Sequence, residues 1–320
     1  MTYAQSGHEA SNGSFVHRAF LYGTQQDYLD HLLAFVSDAV QADQAVLVAV
    51  PARNLAVLAE GLGGLAANMV MTDMSEAGSN PSRILGEVLS RLVDKHRAEP
   101  VRMVSEHMWP SRSEVEYPAC VEHEALLNRA FTGRDVTVVC PYDVSQLDPE
   151  VIADARRIHP VLWQNGILDH DNAAYAPEAM LARYNRPLLS DPTAVRYTAR
   201  KLGDLAGARA FAGSYAQWFG LCPEQTADLQ LIASELTTAS LTHVGGTCRL
   251  ALWRQDGHVI CEARDDGCLD DPLAGRRPYG SDSDRGRGLY VVNAVADLVR
   301  THTTADETTI QAYLHLREGP

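Results

Sequence analysis

The sequence predicts two domains of different classes, an α/β domain with a doubly wound, largely parallel sheet and an α+β domain with helices on a mixed sheet. The chain has 320 residues, which is long enough for two domains. In the first half, short valine-rich apolar runs alternate with helical stretches, as in strands buried on both faces of a parallel sheet. In the second half, two helices precede adjacent strands, which favours an α+β layer.

The elements of the first half follow from composition and period. Strands are expected where the sequence is nearly apolar throughout, at 45–50, 68–74, 101–109 and 136–142. Helices are expected in the longer stretches between and after these runs, at about 25–40, 81–97, 121–132 and 149–158. Strands and helices thus alternate along most of this half, which predicts a doubly wound α/β domain.

A linker is predicted at 176–195, where three prolines interrupt the pattern, although 177–184 also fits a short helix. We therefore expect a flexible terminus at 1–13, a first domain at 14–175 and a second at 196–317. The second half predicts three helices and three strands: helices at about 197–219, 224–243 and 288–299, and strands at CRLALWR, HVICEARD and TTIQAYLHL.

Composition excludes several classes of protein. Hydrophobic residues make up 46% and charged residues 21%, which is typical of a globular chain. The N-terminal MTYAQSGHEASNG lacks the pattern of a signal peptide, and no apolar run approaches the roughly 20 residues of a membrane span. We expect a soluble, cytoplasmic protein. The net charge of −14 repels nucleic acids and anionic membranes, so we expect neither as a direct partner.

The cysteines do not predict a metal site. The six cysteines form no CxxC pair. Cys120 and His123 have a ligand-like spacing, but no second pair stands out to complete a zinc site. We expect buried free thiols and no bound metal.

Four short motifs follow one another in the second half: SELTTA (234–239), ARDDG (263–267), GRGL (286–289) and DETTIQAYLHL (306–316). Together they resemble the N, G1, G2 and G3 boxes of the Bergerat-type GHKL ATPase fold, and most of all those of anti-sigma-factor serine kinases of the RsbW type. The resemblance covers about residues 195–317. It implies a sandwich of helices on a sheet with a site for ATP and Mg²⁺.

The chemistry of these pieces fits nucleotide binding. Asp265 ends a strand and can accept a hydrogen bond from an adenine amino group, and Gly267 lets the purine approach the backbone. Gly286 and Gly288 lead into a helix whose N-terminal N–H groups can hold phosphates. The resemblance further implies that Glu235 is the catalytic base and assigns Thr308 to the nucleotide site.

Two positions depart from the family pattern. Ala239 stands where the family has the asparagine that holds Mg²⁺, and a methyl group offers no oxygen ligand. Ser240 lies about 100° further round the helix and is a poor substitute. Glu307 stands where the family usually has a glycine, and its side chain is expected to crowd the adenine edge. We therefore expect weak or absent kinase activity.

The first half resembles the MEDS domain, a sensory module of methanogen and methylotroph regulators. The resemblance rests on HRAFLY (17–22), SEHMW (105–109), HEALLN (123–128), CPYD (140–143) and HP (159–160), and it covers about residues 14–175. It implies a small organic ligand. Ligands of open α/β sheets bind beyond the carboxyl ends of strands. The predicted ligand site comprises His17, Tyr22, Glu106, Tyr142, Asp143 and His159.

The pairing of the two domains is similar to RsbA-type actinobacterial anti-sigma regulators. One hypothesis is a switch without catalysis, in which the first domain senses a ligand and the second binds a sigma factor or an anti-anti-sigma (STAS) protein. The other is an active serine/threonine kinase that phosphorylates the STAS partner. A histidine-kinase fragment is disfavoured, because no phospho-acceptor helix precedes the ATPase boxes. The resemblance also allows a homodimer.

Overall fold

A computed structural model of the chain describes residues 13–243, 246–277 and 286–317. The terminus expected to be flexible, 1–13, lies outside these residues except for its last position. None of the helices in the described ranges is long and apolar enough to cross a membrane.

The first domain is built on seven strands: β1 (Phe15–Tyr22), β2 (Ala45–Val50), β3 (Val70–Asp73), β4 (Val101–Ser105), β5 (Val136–Asp143), β6 (Val161–Gln164) and β7 (Ile167–Asp169). They form one sheet in the order β3-β2-β4-β5-β1-β6-β7. Every neighbouring pair is parallel except β6 and β7. The predicted largely parallel sheet is confirmed.

Helices cover both faces of this sheet, as expected for a doubly wound domain. One face is covered by α1 (Gln25–Gln41) and α2 (Ala52–Leu62). The opposite face is covered by α3 (Met74–Ala77), α4 (Pro81–Arg83), a π-helical segment (Ile84–Leu89), α5 (Ser90–Lys95), α6 (Tyr117–Ala130) and α7 (Pro149–Ile158). A final helix, α8 (Pro177–Tyr184), packs on α6 through its buried Met180. The predicted linker thus begins with a helix that packs on the first domain.

The second domain has a five-stranded sheet with helices on one face. Its elements are β8 (Val195–Ala199), a 3₁₀ turn (Leu202–Asp204), α9 (Leu205–Phe219), α10 (Pro223–His243), β9 (Cys248–Gln255), β10 (His258–Asp265), α11 (Arg287–Val295), β11 (Leu298–Thr303) and β12 (Thr308–His315). The strand order is β11-β12-β10-β9-β8, and all pairings between described residues are antiparallel. The predicted α+β class is confirmed, with an antiparallel sheet in place of a mixed one.

Two helix predictions of the second half extended too far. The expected helix 197–219 begins only at Leu205, because VRYTA (195–199) pairs with β9 as an edge strand. The expected helix 288–299 ends at Val295, and residues 298–303 form β11. In both places β-branched or aromatic residues alternate with others, and pairing with a neighbouring strand overrides the helical pattern. In the first domain, the strand expected at 101–109 ends at Ser105.

The segment after α8 crosses the face of the second sheet that the helices leave open. The Ser190 hydroxyl donates to the Glu262 carboxylate, and the Gln311 side-chain amide donates to the Leu189 carbonyl oxygen at 3.1 Å. Glu262 and Gln311 are both 2% exposed. The chain therefore satisfies the buried polar groups of this face with its own linker.

Candidate functional sites

The adenine side of the predicted nucleotide pocket is assembled by β10 and β12. Asp265 lies opposite Thr308 in the register of these strands. It lies on the same face of β10 as Ala263, which packs under the helices. The Gly267 N–H donates to Asp265 Oδ1 at 3.2 Å, and the Thr308 hydroxyl donates to the Gly267 carbonyl oxygen at 2.7 Å. Three predicted residues, two from ARDDG and one from DETTIQAYLHL, are thus linked by hydrogen bonds.

The environment of Asp265 suits an acceptor held in a pocket. Asp265 is 7% exposed, and burial raises the pKa of its carboxyl, although hydrogen bonds from the Ser240 side chain and the Gly267 N–H oppose this rise. Ser240 therefore faces the adenine side of the pocket. Its hydroxyl donates a hydrogen bond to the Asp265 carboxyl group.

The catalytic side is formed where α10 meets the start of α11. A Cβ atom added at Gly288 would lie 2.9 Å from Glu235 Oε2, so the carboxylate lies against the first turn of α11. Ala239 follows Glu235 by four residues and is half-buried. The hydroxyls of Thr238 and Thr242 donate to carbonyl oxygens of their own helix. Among the described residues, position 239 therefore supplies no side-chain oxygen where the family holds its Mg²⁺ ion.

The glycines of the third box lie at the N-terminus of α11. Gly286 is the residue before the helix, and an added Cβ there would lie 2.8 Å from the Gly275 nitrogen. The loop that contains Gly275 therefore runs directly along the start of α11. Residues 278–285, which precede Gly286, lie outside the described residues.

Glu307 does not crowd the adenine edge as the sequence suggested. It precedes Thr308 in the chain, and its carboxylate lies 3.8 Å from the Arg264 guanidinium. Arg264 pairs with Thr309 and alternates with Asp265, so it lies on the sheet face away from the helices. The Glu307 carboxylate thus lies near a residue that points away from Asp265.

The loop after β10 is held by the first domain. Arg276, 4% exposed, pairs with Glu122 of α6 at 2.8 Å. Gly275 has φ +75°, and its carbonyl oxygen accepts from the Asn293 side chain at 2.9 Å. Sequence analysis missed this contact, since neither Glu122 nor Arg276 belongs to a motif.

Helix α11 is also fastened to the first domain. The side-chain amide of Asn80, fully buried, donates to the carbonyl oxygens of Asn293 and Ala296 at 2.9 and 3.2 Å. These are orphan carbonyls at the C-terminal end of the helix, so a residue of the first domain caps a helix of the second. The Tyr290 hydroxyl also donates to Glu87 of the π-helical segment.

Half of the predicted sensory residues line a cavity of about 350 Å³ at the carboxyl ends of β1, β4 and β5. Tyr22, Glu106 and Asp143 meet there, as expected from the strand ends. Sequence analysis missed two residues that hold Glu106: the Tyr28 hydroxyl donates to Oε2 at 2.9 Å, and the Asn54 amide contacts both carboxylate oxygens at 2.9 Å.

Glu106 has unusual acid–base properties. Glu106 is only 4% exposed. Burial raises the pKa of Glu106 to about 7, against the hydrogen bonds from Asn54 and Tyr28, and the nearby Asp143 contributes further. Burial likewise raises the pKa of Tyr22. The cavity therefore contains a carboxyl group that can change its charge near neutral pH.

The other predicted sensory residues lie on the opposite face of the sheet, in a buried cluster. Tyr142 packs edge-on against His159 with ring centroids 5.6 Å apart, and His17 lies 4.1 Å from the His159 ring. The prediction of one ligand site was wrong in this respect. Tyr22 and Asp143 alternate with their neighbours in the pleat, so the sheet itself separates the cavity from the cluster.

Glu124 of α6 is at the centre of this cluster. Its carboxylate oxygens lie 2.9 Å from His17 Nε2, 3.1 Å from His159 Nε2 and 3.1 Å from His107 Nδ1. Burial alone would raise the pKa of Glu124, but His107 and His159 hold it well below its ordinary value. Burial lowers the pKa of His17, and it lowers that of His107 to about 4. Sequence analysis missed Glu124 and His107, although SEHMW and HEALLN contain them.

Comparisons with known proteins agree with the two folds. Residues 16–160 match the family model of the MEthanogen/methylotroph, DcmR Sensory domain (MEDS), and residues 198–314 match that of the histidine kinase-like ATPase domain. No curated protein matches the chain at a significant level.

Among solved structures, a chain in the crystal structure of the SiaB-SiaC complex from Pseudomonas aeruginosa is similar at 13% identity and a TM-score of 0.30. The match covers 38% of this chain and 88% of that chain. The two family matches together account for most of the sequence. The chain thus matches the MEDS sensory domain in its first half and the histidine kinase-like ATPase domain in its second half.

Proposed function

We propose that the chain is a cytoplasmic regulatory protein of a partner-switching system. Its MEDS domain senses a small organic ligand, and its ATPase-like domain binds a sigma factor or a STAS-type anti-anti-sigma protein with weak or no kinase activity. One observation carries this proposal. The adenine side of the pocket is assembled around Asp265, whereas Ala239 leaves the metal side without its oxygen ligand.

The physical reason lies in phosphoryl transfer. The reaction depends on positioning and on a metal ion that neutralises charge developing on the phosphates. Mg²⁺ requires near-octahedral oxygen coordination, and the loss of one protein ligand weakens its hold. The Glu235 carboxylate lies close to the N-terminus of α11 and repels phosphates that no cation neutralises. Catalysis is therefore expected to suffer more than adenine binding.

The contacts between the domains support control of one by the other. Arg276 anchors the loop beside the nucleotide site to α6, and Asn80 caps the helix that begins at that site. A ligand that binds one arrangement of the MEDS domain better than another would shift the position of this loop and helix. The ATPase-like domain would then present a different surface to its partner.

The second domain exposes a candidate contact residue for a protein partner. Trp218, near the end of α9, is 75% exposed and packs edge-on against Tyr215 at 6.4 Å between ring centroids. Tryptophan is enriched among the residues that dominate binding energy at protein interfaces. We therefore expect Trp218→Ala to weaken partner binding while leaving the nucleotide site intact.

The test begins with calorimetric titration of ATP and ADP into the full chain, with and without Mg²⁺. We expect binding that Mg²⁺ does not improve. Asp265→Asn should abolish binding, because the amide places a donor where adenine needs an acceptor. Micromolar affinity that strengthens with Mg²⁺ would contradict the proposal.

A phosphorylation assay separates the two functions. The chain is incubated with radiolabelled ATP, Mg²⁺ and the STAS-domain proteins of the same genome, and we expect no labelled partner. Ala239→Asn restores the missing oxygen and should produce labelling. The double variant Ala239→Asn, Glu235→Gln is the matched control, since it keeps the new metal ligand and removes the base.

The alternative function is an active serine/threonine kinase. The position of Glu235 beside the first turn of α11 favours it, because a base is in place next to the expected phosphate site. Labelling of a STAS partner by the unmodified chain, lost in Glu235→Gln, would establish this alternative.

A further inference from the structure

The cluster around Glu124 brings together four ligand atoms of the kinds that transition metals prefer. His17, Glu124, Cys140 and His159 each offer one such atom, and these atoms all lie within 4.8 Å of one another. All four residues are at most 1% exposed. They come from β1, α6, β5 and the end of α7, so the fold and not a local motif assembles them.

The hydrogen bonds of the two histidines determine which nitrogen faces the cluster. His159 Nδ1 lies 2.8 Å from the Ala155 carbonyl oxygen, which only accepts, so Nδ1 carries the proton. His17 Nδ1 lies 3.1 Å from Asn128 Oδ1. The Asn128 amide nitrogen donates to the carbonyl oxygens of Ala125 and Ile158, which orients its oxygen towards His17. When the rings are neutral, Nε2 of each therefore presents a lone pair to the cluster.

This arrangement is the one that protein metal sites use. A metal-ligating histidine almost always donates its other N–H to a carbonyl or carboxylate, which fixes the tautomer and the orientation of the ring. Here each histidine has such a partner at Nδ1: the Asn128 side-chain oxygen for His17 and the Ala155 carbonyl oxygen for His159. The Asn128 side chain is itself held by a hydrogen bond to the backbone. The two imidazoles are thus preorganised to coordinate through Nε2.

Without a cation the cluster is poorly satisfied. Two Nε2 lone pairs face Glu124 Oε2 at 2.9 and 3.1 Å. Neither carboxylate oxygen nor His159 Nε2 forms a hydrogen bond of acceptable geometry with any described residue. The Cys140 thiol lies 3.4 Å from His17 Nε2 and can supply a single proton. Each buried acceptor left without a donor destabilises the folded state.

We propose that His17, Glu124, Cys140 and His159 bind one Zn²⁺ ion in a closed tetrahedral site. Binding forms the zinc–sulfur bond by displacing the proton of the Cys140 thiol to solvent. The thiolate and the Glu124 carboxylate then neutralise the two positive charges, which makes the ion compatible with complete burial. A thiolate and two imidazoles select a borderline-soft transition metal over Mg²⁺ or Ca²⁺.

The spacing of the ligand atoms agrees with this ion. Four ligands at about 2.0–2.3 Å from a tetrahedral zinc lie about 3.3–3.7 Å from one another. The shortest pairs in the cluster, between 2.9 and 3.4 Å, need to open by a few tenths of an ångström, and pairs as wide as 4.8 Å need to close by about 1 Å. His107 Nδ1 lies 3.1 Å from the remaining carboxylate oxygen, where it can donate a hydrogen bond once Glu124 binds metal. The site goes beyond the proposed function and does not depend on it.

Metal analysis of the full chain tests the proposal. The protein is produced with zinc in the medium, freed of any affinity tag, passed through a desalting column and assayed for first-row metals. We expect one zinc per chain. After removal of zinc with a chelator, Co²⁺ should restore the site and produce a thiolate-to-cobalt charge-transfer band in the near ultraviolet. Circular dichroism verifies that the chelated protein is folded.

Conservative variants assign the ligands. Cys140→Ser should remove the cobalt band and lower zinc affinity by about tenfold or more, and Glu124→Gln should lower it comparably while keeping the band. Cys261→Ser is the matched control, because it removes a buried free thiol in the second domain. Substoichiometric zinc with no cobalt band in folded wild-type protein would overturn the proposal. Wild-type zinc affinity in Cys140→Ser would overturn it as well.

Discussion

Replacement of the buried carboxyl Glu106 by glutamine should change how the stability of the MEDS domain depends on pH. The carboxyl is held by Tyr28 and Asn54 inside the cavity. Burial raises its pKa from the ordinary 4.5 to about 7, with Asn54 and Tyr28 opposing and Asp143 adding to the rise. Glutamine has the same shape and cannot ionise.

The sign and size follow from proton linkage. A carboxyl with a higher pKa in the folded state keeps its proton in a pH range where the unfolded chain has lost it. The stability that this proton contributes is complete below the unfolded value of 4.5 and is lost as pH rises through about 7. At 1.36 kcal/mol for each tenfold change, the difference between the two pKa values corresponds to about 3 kcal/mol.

Urea denaturation of the full chain at several pH values between about 5 and 8 measures this effect. Both proteins carry Trp218→Phe and Trp253→Phe, so that fluorescence reports the tryptophans of the MEDS domain alone. The free energy of unfolding of wild type should fall towards neutral pH relative to that of Glu106→Gln. Differences between the two curves cancel the contributions of all other titrating groups.

Glu60→Gln provides the control, since it removes an exposed negative charge from α2 of the same domain. If the wild-type and Glu106→Gln curves run parallel across this pH range, the carboxyl does not titrate near neutral pH. The reasoning from burial would then be refuted.

Three further predictions concern the domain contact and the buried cluster. Glu122→Gln leaves a buried guanidinium without its carboxylate and should cost about 2 kcal/mol, whereas Glu224→Gln, in an exposed ion pair, should cost almost nothing. Urea denaturation followed by circular dichroism, which reports both domains, measures the two costs, and equal effects would contradict this. Gly275→Ala should destabilise the protein more than Gly257→Ala, since both glycines have positive φ but only the Cβ added at Gly275 would lie 2.6 Å from Leu289. Gly257→Ala should cost about 1 kcal/mol. Thermal unfolding tests this order, and equal midpoints would contradict it. Removal of zinc by a chelator should lower the unfolding midpoint of the MEDS domain. Compared with protein in free zinc at a hundred times Kd, the loss corresponds to about 2.7 kcal/mol. An unchanged midpoint would be evidence against a structural ion.

Local patterns were sufficient for the fold classes, and they named residues of separate motifs that the fold places in contact. The valine-rich runs AVLVAV and VTVVCPY became neighbours of β4 in a parallel sheet, because continuous apolar runs fit only strands covered on both faces. Asp265 and Thr308 were named from their boxes, and antiparallel pairing brought them opposite each other. The strands at 195–199 and 298–303 were missed, since short edge strands form through pairing and not through local preference.

The sheet face to which a side chain points could not be predicted from local sequence patterns. Tyr142 and Asp143 are adjacent in sequence, yet one packs against the histidine cluster and the other lines the cavity. Glu307 was expected to face the adenine and instead lies near Arg264. For Tyr142 and Asp143 the cause is that adjacent side chains of a strand point to opposite faces of the sheet. The position of Glu307 is set by the turn that precedes β12.

By itself, the sequence determined that the chain has two domains and which residue types line each strand and helix. It also determined that Ala239 offers no ligand to a metal. These properties depend on side-chain chemistry and on short-range periodicity. Only the tertiary structure decided that Glu124 and Cys140 meet His17 and His159, and that Arg276 reaches across to Glu122. These contacts join elements distant in the chain. They depend on the order of strands in the sheet and on the packing of α6, which no local pattern encodes.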